Sequence, residues 1–316
     1  MKTLNQQELK SIEQFFQLTQ PQLLKAMKHY LGTKYEKVIA TKEYVIAVGD
    51  IPIGLVAHLD TVFKFVPNDI YYDRVKNVMW SPDGLGADDR AGVYSIMQIL
   101  KAGFKPTVIL TTDEELGCVG ALKVATDFPV APVELKYIIE LDRRGSNDCV
   151  FYECNNPKFD EYVESFGFVT NFGSFSDISV ICPQWKVAGV NLSIGYINEH
   201  SHIETFHVLP FLATINKVAK MLDDIDNANY FKYISSPNSV KWWSEEIKCA
   251  KCGKHFNEYE MFPVKSLDRK TKFFCPECLI SNAEWCERCN EAFEIEPNSN
   301  KKYCKDCEEQ MVACRI

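Results

Sequence analysis

The stretch ADDRAGVYSIMQILKAGFKPTVILTTDEELG, residues 87–117, changes its period halfway, and that change decides the fold. Its first half spaces apolar residues as a helix does, at Val93, Ile96, Met97 and Leu100. Its second half, Pro106 to Thr112, is a short uncharged run rich in β-branched residues around Val108-Ile109-Leu110, as expected of a strand covered on both faces. The same alternation extends both ways. Upstream, KVIATKEYVIAVGD reads as two strands, GLVAHLD as the end of a third, and DIYYDRVKNVMWSPDGLG as a hairpin closing in glycines. Before these, NQQELKSIEQFFQLTQ and PQLLKAMKHYL read as two short helices, with Pro21 in a first turn. Downstream, CVGALKVATDF, KFDEYVESFGF and VLPFLATINKVAKMLDDI read as helices, and KYIIEL and KVAGVNLSIGY as strands. The pattern predicts an α/β sandwich: a mostly parallel central sheet with helices on both faces, whose sites form at the carboxyl ends of the strands.

The 316 residues suffice for two modest domains, and 46% hydrophobic with 25% charged residues is a soluble globular composition. A formal charge of -8 argues against a general binder of nucleic acid or anionic membrane, which needs a cationic surface. MKTLNQQELKSIEQFF has no continuous apolar segment, so neither a signal peptide nor a membrane anchor is expected there. Eight of the 13 cysteines form four Cys-x-x-Cys pairs near the C-terminus. Without a secretion signal these read as metal ligands and not disulfides, which places the chain in a reducing cytoplasm. Composition divides it into a first domain, 1–230, a polar linker, 231–247, and a cysteine-rich domain, 248–316.

Metal-ligand residue types recur where the predicted strands end. GLVAHLD ends on His58 and Asp60; GADDRAG brings Asp88 and Asp89 to a helix start; ILTTDEELG supplies Glu114 and Glu115. IIELDRRG ends on Asp142, and INEHSHIE supplies His200 and His202. Each alone is ordinary turn chemistry. Together they predict a carboxylate-rich pocket that needs a compensating cation, and mixed His and Asp/Glu ligation suits zinc, or manganese or cobalt.

The ordered series His-x-Asp, Gly-x-Asp-Asp-x-x-Gly, Glu-Glu-x-Gly, Leu-Asp and His-Ser-x-x-Glu resembles the co-catalytic dinuclear zinc exopeptidases. That clan includes peptidase T, carboxypeptidase G and the single-domain zinc aminopeptidases, and the resemblance runs from about Val38 to Leu222. It implies that Asp88 bridges two divalent metals, that His58 and Asp142 bind one, and that Glu115 and His200 bind the other. It implies that Glu114 is the general acid/base. Asp60 would accept the second ring N–H of His58 and fix its tautomer. His200 is preferred to His202 because it completes His-Ser-x-x-Glu. His207 is expected to begin the last helix, and Asp89 to be either a helix cap or a site residue, with the peptide bond after Asp88 often cis in the clan. Asp177 is expected to cap a helix, with facing the pocket as the alternative. Larger members carry a lid domain between the equivalents of Asp142 and His200; here one helix and one or two strands are expected, so the resemblance implies a catalytic domain without a lid.

Cys249-x-x-Cys252 with Cys275-x-x-Cys278, and Cys286-x-x-Cys289 with Cys304-x-x-Cys307, have the spacing of two zinc-ribbon-like sites. An interleaved cross-brace uses the same pairs; sequential pairing is our reading. Four thiolates leave no open position, so these two zinc ions would be structural. Lys and Arg interleave with Asp and Glu in this segment, which favours protein docking or self-association over nucleic acid. The expected function is therefore an exopeptidase, most simply an aminopeptidase, acting on a peptide or small amide. An N-acyl amino acid deacylase and a non-catalytic scaffold are the alternatives.

Overall fold

In a computed structural model, residues 4–235, 246–257, 261–268, 270–288, 291–296, 299 and 301–313 are described. The chain forms two compact units, Met1–Pro237 and Asn238–Ile316.

In unit 1, α1 (Gln6–Phe16) and α2 (Gln20–Gly32) precede β1 (Lys37–Ala40), β2 (Tyr44–Val48) and β3 (Ile51–His58). A hairpin, β4 (Tyr71–Asp73) and β5 (Val78–Trp80), leads to α3 (Ala87–Lys101), β6 (Pro106–Thr111), α4 (Val119–Asp127) and β7 (Tyr137–Arg143). Then come β8 (Asp148–Val150), α5 (Pro157–Glu164), β9 (Val169–Thr170), α6 (Asp177–Trp185) and β10 (Gly189–Ser193). The unit closes with β11 (Tyr196–Ile197), β12 (Thr205–His207) and α7 (Val208–Asp223). The main sheet runs β1-β2-β6-β3-β7-β10-β8-β9. Its four central strands, β6, β3, β7 and β10, are parallel, and β2 and β8 flank them antiparallel.

Strand alternation sends successive residues to opposite faces. Leu55 and Ala57 of β3, Val108 and Leu110 of β6, and Ile139 and Leu141 of β7 enter one core, with α1, α2, α3, α5 and α7. Val56, Ile109 and Ile138 enter a second core under α4 and α6. Both faces are covered, which is why these strands are continuous apolar runs.

Between Asp142 and His200 the chain forms two helices, α5 and α6, instead of the one expected. Pro183 lies inside α6 and masks its pattern, because an interior proline ordinarily signals a helix end. The segment stays within unit 1, without a further domain. Residues assigned by composition to the start of the linker run against unit 1: Phe231 is buried, Lys232 bridges to Val187 and Ser235 to Cys154.

Gly92 explains the last residue of the Gly-x-Asp-Asp-x-x-Gly series. A Cβ there would stand 2.1 Å from the Leu141 carbonyl oxygen and 2.4 Å from Asp89 Oδ1, so only glycine lets α3 lie this close to β7. Gly92→Ala is expected to destabilise unit 1 by about 1–3 kcal/mol, as overpacking does. A urea midpoint equal to wild type would contradict this contact.

In unit 2, the hairpin Glu246–Lys248 and His255–Asn257 brackets Cys249 and Cys252. A four-stranded sheet combines Thr271–Phe274, Phe262–Lys265, Ala292–Glu294 and Ala283–Trp285 in that order, with helix Pro276–Asn282 between two of its strands in sequence. Cys289 and Cys314 lie outside the described residues, as do Trp242 and Trp243.

Candidate metal centre at the strand ends

Strand register assembles the site. His58 is the last residue of β3 and pairs with Thr111 at the end of β6. Val56 pairs with Glu140, so Asp142, two residues on, arrives beside His58. Their side chains stand 3.4 Å apart, His58 Nε2 to Asp142 Oδ1. Glu114 and Glu115 follow β6, and Asp88 enters from the head of α3. There Asp88 and Asp89 break helical geometry and are joined by a cis peptide bond.

The predicted residues meet in overlapping groups: His58 with Asp88 and Asp142, Asp88 with Glu115 and His200, and His58 with Glu114 and Glu115. Asp88 faces both ways. Its Oδ1 is 3.2 Å from His58 Nε2, and its Oδ2 is 3.1 Å from His200 Nε2, which is itself 2.9 Å from Glu115 Oε1. Two ligands of one tetrahedral zinc, each about 2 Å from it, stand about 3.3 Å apart, so these separations fit shared cations. Residue types and spacing both suit a divalent metal.

Asp60 is 3.2 Å from His58 Nδ1 and accepts the backbone N–H groups of Glu114 and Glu115 at 3.0 and 3.1 Å. It thus ties the end of β3 to the turn after β6. Asp89 accepts the backbone N–H of His58 through Oδ2 and that of Gly92 through Oδ1, the latter as a cap for the body of α3. His207 stands at the start of α7, and exposed His202 packs its ring against Phe63. Ser176, not Asp177, takes the cap position of α6; Asp177 is wholly buried and accepts the Thr111 hydroxyl.

Some buried polar partners escape a sequence reading. Tyr196 donates to Asp142 Oδ1 at 2.9 Å and Ser176 to Oδ2 at 3.0 Å. Glu204 accepts the backbone N–H groups of Gly86 and Asp88 at 2.6 and 3.0 Å, clamping the loop that presents Asp88. It is the glutamate of His-Ser-x-x-Glu, which was the available signal. Cys118 donates to Glu114 Oε1 at 3.5 Å.

Negative charge is concentrated here, and two imidazoles lie within the cluster to oppose it. Asp88 and Glu115 push His200 up to about 11. Burial would lower His58, but Asp142 and Asp60 outweigh it and hold the ring well above its usual value. Burial raises Glu114 to about 9, and burial with the nearby Asp88 raises Asp142 to about 7. Burial also opposes ionisation of Asp88, yet the two imidazoles hold it below the ordinary carboxylate range. The protons thus stand where metal charge is expected.

In unit 2, the sulfurs of Cys249, Cys252, Cys275 and Cys278 converge, with Cys252 Sγ 3.9 Å from Cys275 Sγ. Thiolates about 2.3 Å from one tetrahedral zinc stand about 3.8 Å apart. Cys286, Cys304 and Cys307 form a second group.

No protein-family model and no curated protein matches the chain. Solved structures do. A tripeptidase from Staphylococcus aureus is similar at 12% identity and TM-score 0.58, over 72% of this chain and 100% of that one. An aminopeptidase from Bacillus cereus is similar at 15% and 0.54, over 71% and 99%. An aminopeptidase from Desulfurococcus kamchatkensis is similar at 14% and 0.51, over 70% and 97%. At these identities the likeness establishes the fold: the chain has the α/β architecture of these peptidases.

Proposed function

We propose that the chain is a metal-dependent exopeptidase, of the aminopeptidase kind, that hydrolyses peptide bonds with water. One observation carries this reading: Asp88 directs its two oxygens to two separate groups of ligands. The similar peptidases support it through a shared fold. His58 and Asp142 would hold one divalent cation, Glu115 and His200 the other, and Asp88 both. Zinc suits the donor set best, with manganese or cobalt as alternatives. Bound there, the metals supply Lewis acidity and a water acidic enough to attack at neutral pH. Glu114 takes the proton of the attacking water and returns it to the leaving nitrogen. Asp60 holds the tautomer of His58 that leaves Nε2 free, and Tyr196 and Ser176 fix the carboxylate of Asp142.

The thiols of unit 2 would hold two structural zinc ions in ribbon-like sites, the second completed by Cys289. Protein docking, self-association included, is the proposed role of this unit, and the reducing cytoplasm its proposed setting.

The raised imidazoles have a measurable consequence. Metal requires a neutral ring, and His200 is held protonated to about 11 in the metal-free protein, so loading the site must expel protons. Apparent affinity is expected to rise about tenfold per pH unit for each proton displaced, between pH 6 and 8. Calorimetry in buffers of different ionisation enthalpy checks this; metal uptake without proton release would contradict it.

The function is tested by incubating the zinc-loaded protein with a pool of free-amine peptides, N-blocked peptides and N-acyl amino acids, followed by mass spectrometry. Stepwise loss of N-terminal residues from the free-amine peptides alone is expected. Cleavage confined to acylated compounds would replace the aminopeptidase with a deacylase.

A further inference from the structure

Beside Glu115 lies a cavity of about 430 Å³, walled by the start of α2, the loop after β3, the head of α3 and the turn after β6. It contains charges of both signs, but their commitments differ. Asp60 is engaged by His58 and two backbone N–H groups, Asp113 accepts the Gln20 side-chain amide at 2.8 Å, and Glu115 meets His200. Among the described residues the two cations have no such partners. Arg90 is only 5% exposed, yet among the described residues its single hydrogen bond runs from Nε to the Leu18 carbonyl at 3.0 Å. Among the described residues it makes no ion pair, although it feels the charges of Asp60 and Glu204. Lys64 lies 5.6 Å from the centre of the Phe65 ring and likewise makes no ion pair among the described residues.

A buried guanidinium without a carboxylate is costly. Clasping Leu18 explains one of its five N–H groups. The terminal nitrogens of a guanidinium form a planar fork that matches a carboxylate. Glu115 belongs both to the cavity wall and to the imidazole–carboxylate cluster, so a group held here lies beside the reacting bond.

Building on the exopeptidase reading, we infer that this cavity is a subsite for a carboxylate of the substrate, bound by Arg90 and Lys64. Two sources share that chemistry: an acidic side chain near the cleaved bond, and the C-terminal carboxylate of a short peptide. The test compares kcat/KM of the zinc-loaded full chain for Asp/Asn and Glu/Gln pairs at the first two positions, and for dipeptides with free or amidated C-termini. A preference of about ten- to a hundredfold for the charged member is expected in one arm, which identifies the source, and it should reside in KM. Lys64→Ala and Arg90→Met should collapse that ratio. Lys64 is exposed, so its variant remains informative if Arg90→Met, which leaves the Leu18 carbonyl unpaired, fails to fold.

Cleavage of peptides with ratios near one in every pair would overturn the subsite and leave the peptidase standing. If no peptide is cleaved, the peptidase reading fails, and calorimetric binding of glutarate to the same protein then judges the subsite. Binding weakened about tenfold or more by Lys64→Ala supports it; absent binding, or binding unchanged by that variant, overturns it.

Discussion

Glu114→Gln is expected to lower kcat by about 10²–10⁴-fold while both metals of unit 1 stay bound and KM changes little. The side chain sits between two environments. Its Oε1 receives the Cys118 thiol, and its Oε2 stands 3.9 Å from His58 Nε2, at the edge of the ligand cluster. Glutamine keeps the size and can still accept from Cys118, so packing and cluster geometry should survive. What it loses is the capacity to carry a proton from water to the leaving nitrogen. A ligand replacement would act differently: at Asp88 it would empty both proposed cation positions, since that carboxylate alone is shared by the His58–Asp142 and Glu115–His200 groups. Turnover combined with elemental analysis separates the cases. Lost rate with full metal content assigns proton transfer to Glu114. Lost metal makes Glu114 a ligand, and unchanged turnover removes it from the chemistry.

How far the residues announced this site depended on what a linear pattern records. Alternation of apolar runs reports which faces are covered, so the central strands and the helices on either face were legible, as were the acidic and histidine residues stranded at the strand ends. Pro183 hid α6, because a local breaker outweighs a weak amphipathic signal when tertiary packing is unknown. Periodicity also says nothing about which buried polar groups meet. Glu140 lies in the middle of an apolar strand, wholly buried, with its carboxyl pushed well above the usual range by burial; only the β7 register shows that it points to the side of α4 and α6. Tyr196 reads as a core aromatic until its hydroxyl is found on Asp142. The isolation of Arg90 is equally invisible, since being unpaired is a property of neighbours far along the chain.

Metal removal is expected to divide the molecule into a folded, inactive unit 1 and an unfolded unit 2. Unit 1 does not depend on a cation for a core: two extensive apolar clusters cover both sheet faces, and the candidate ligands sit at the strand ends beyond them. Losing metal there should relax the strand-end loops, with the imidazolium protons supplying part of the missing positive charge. Unit 2 is built the other way. Among the described residues, two of its three small clusters consist largely of the candidate ligand cysteines, Cys249 and Cys275 with Met261, and Cys286, Cys304 and Cys307 with Phe293. The third comprises Val264, Phe274 and Ala292. A core in a segment of this size rarely supplies more than about 3–5 kcal/mol, whereas structural zinc supplies about 10–16 kcal/mol in small domains at neutral pH. Stripping the metal, or replacing Cys249 and Cys275 with serine, should therefore abolish most slow amide exchange within residues 246–257, 261–268 and 270–288. Protection in the strands of unit 1 should persist. Hydrogen exchange read by mass spectrometry on the intact chain resolves both. Protection of unit 2 surviving in a zinc-free sample would mean that its apolar contacts suffice, and the thiol clusters would then need another explanation.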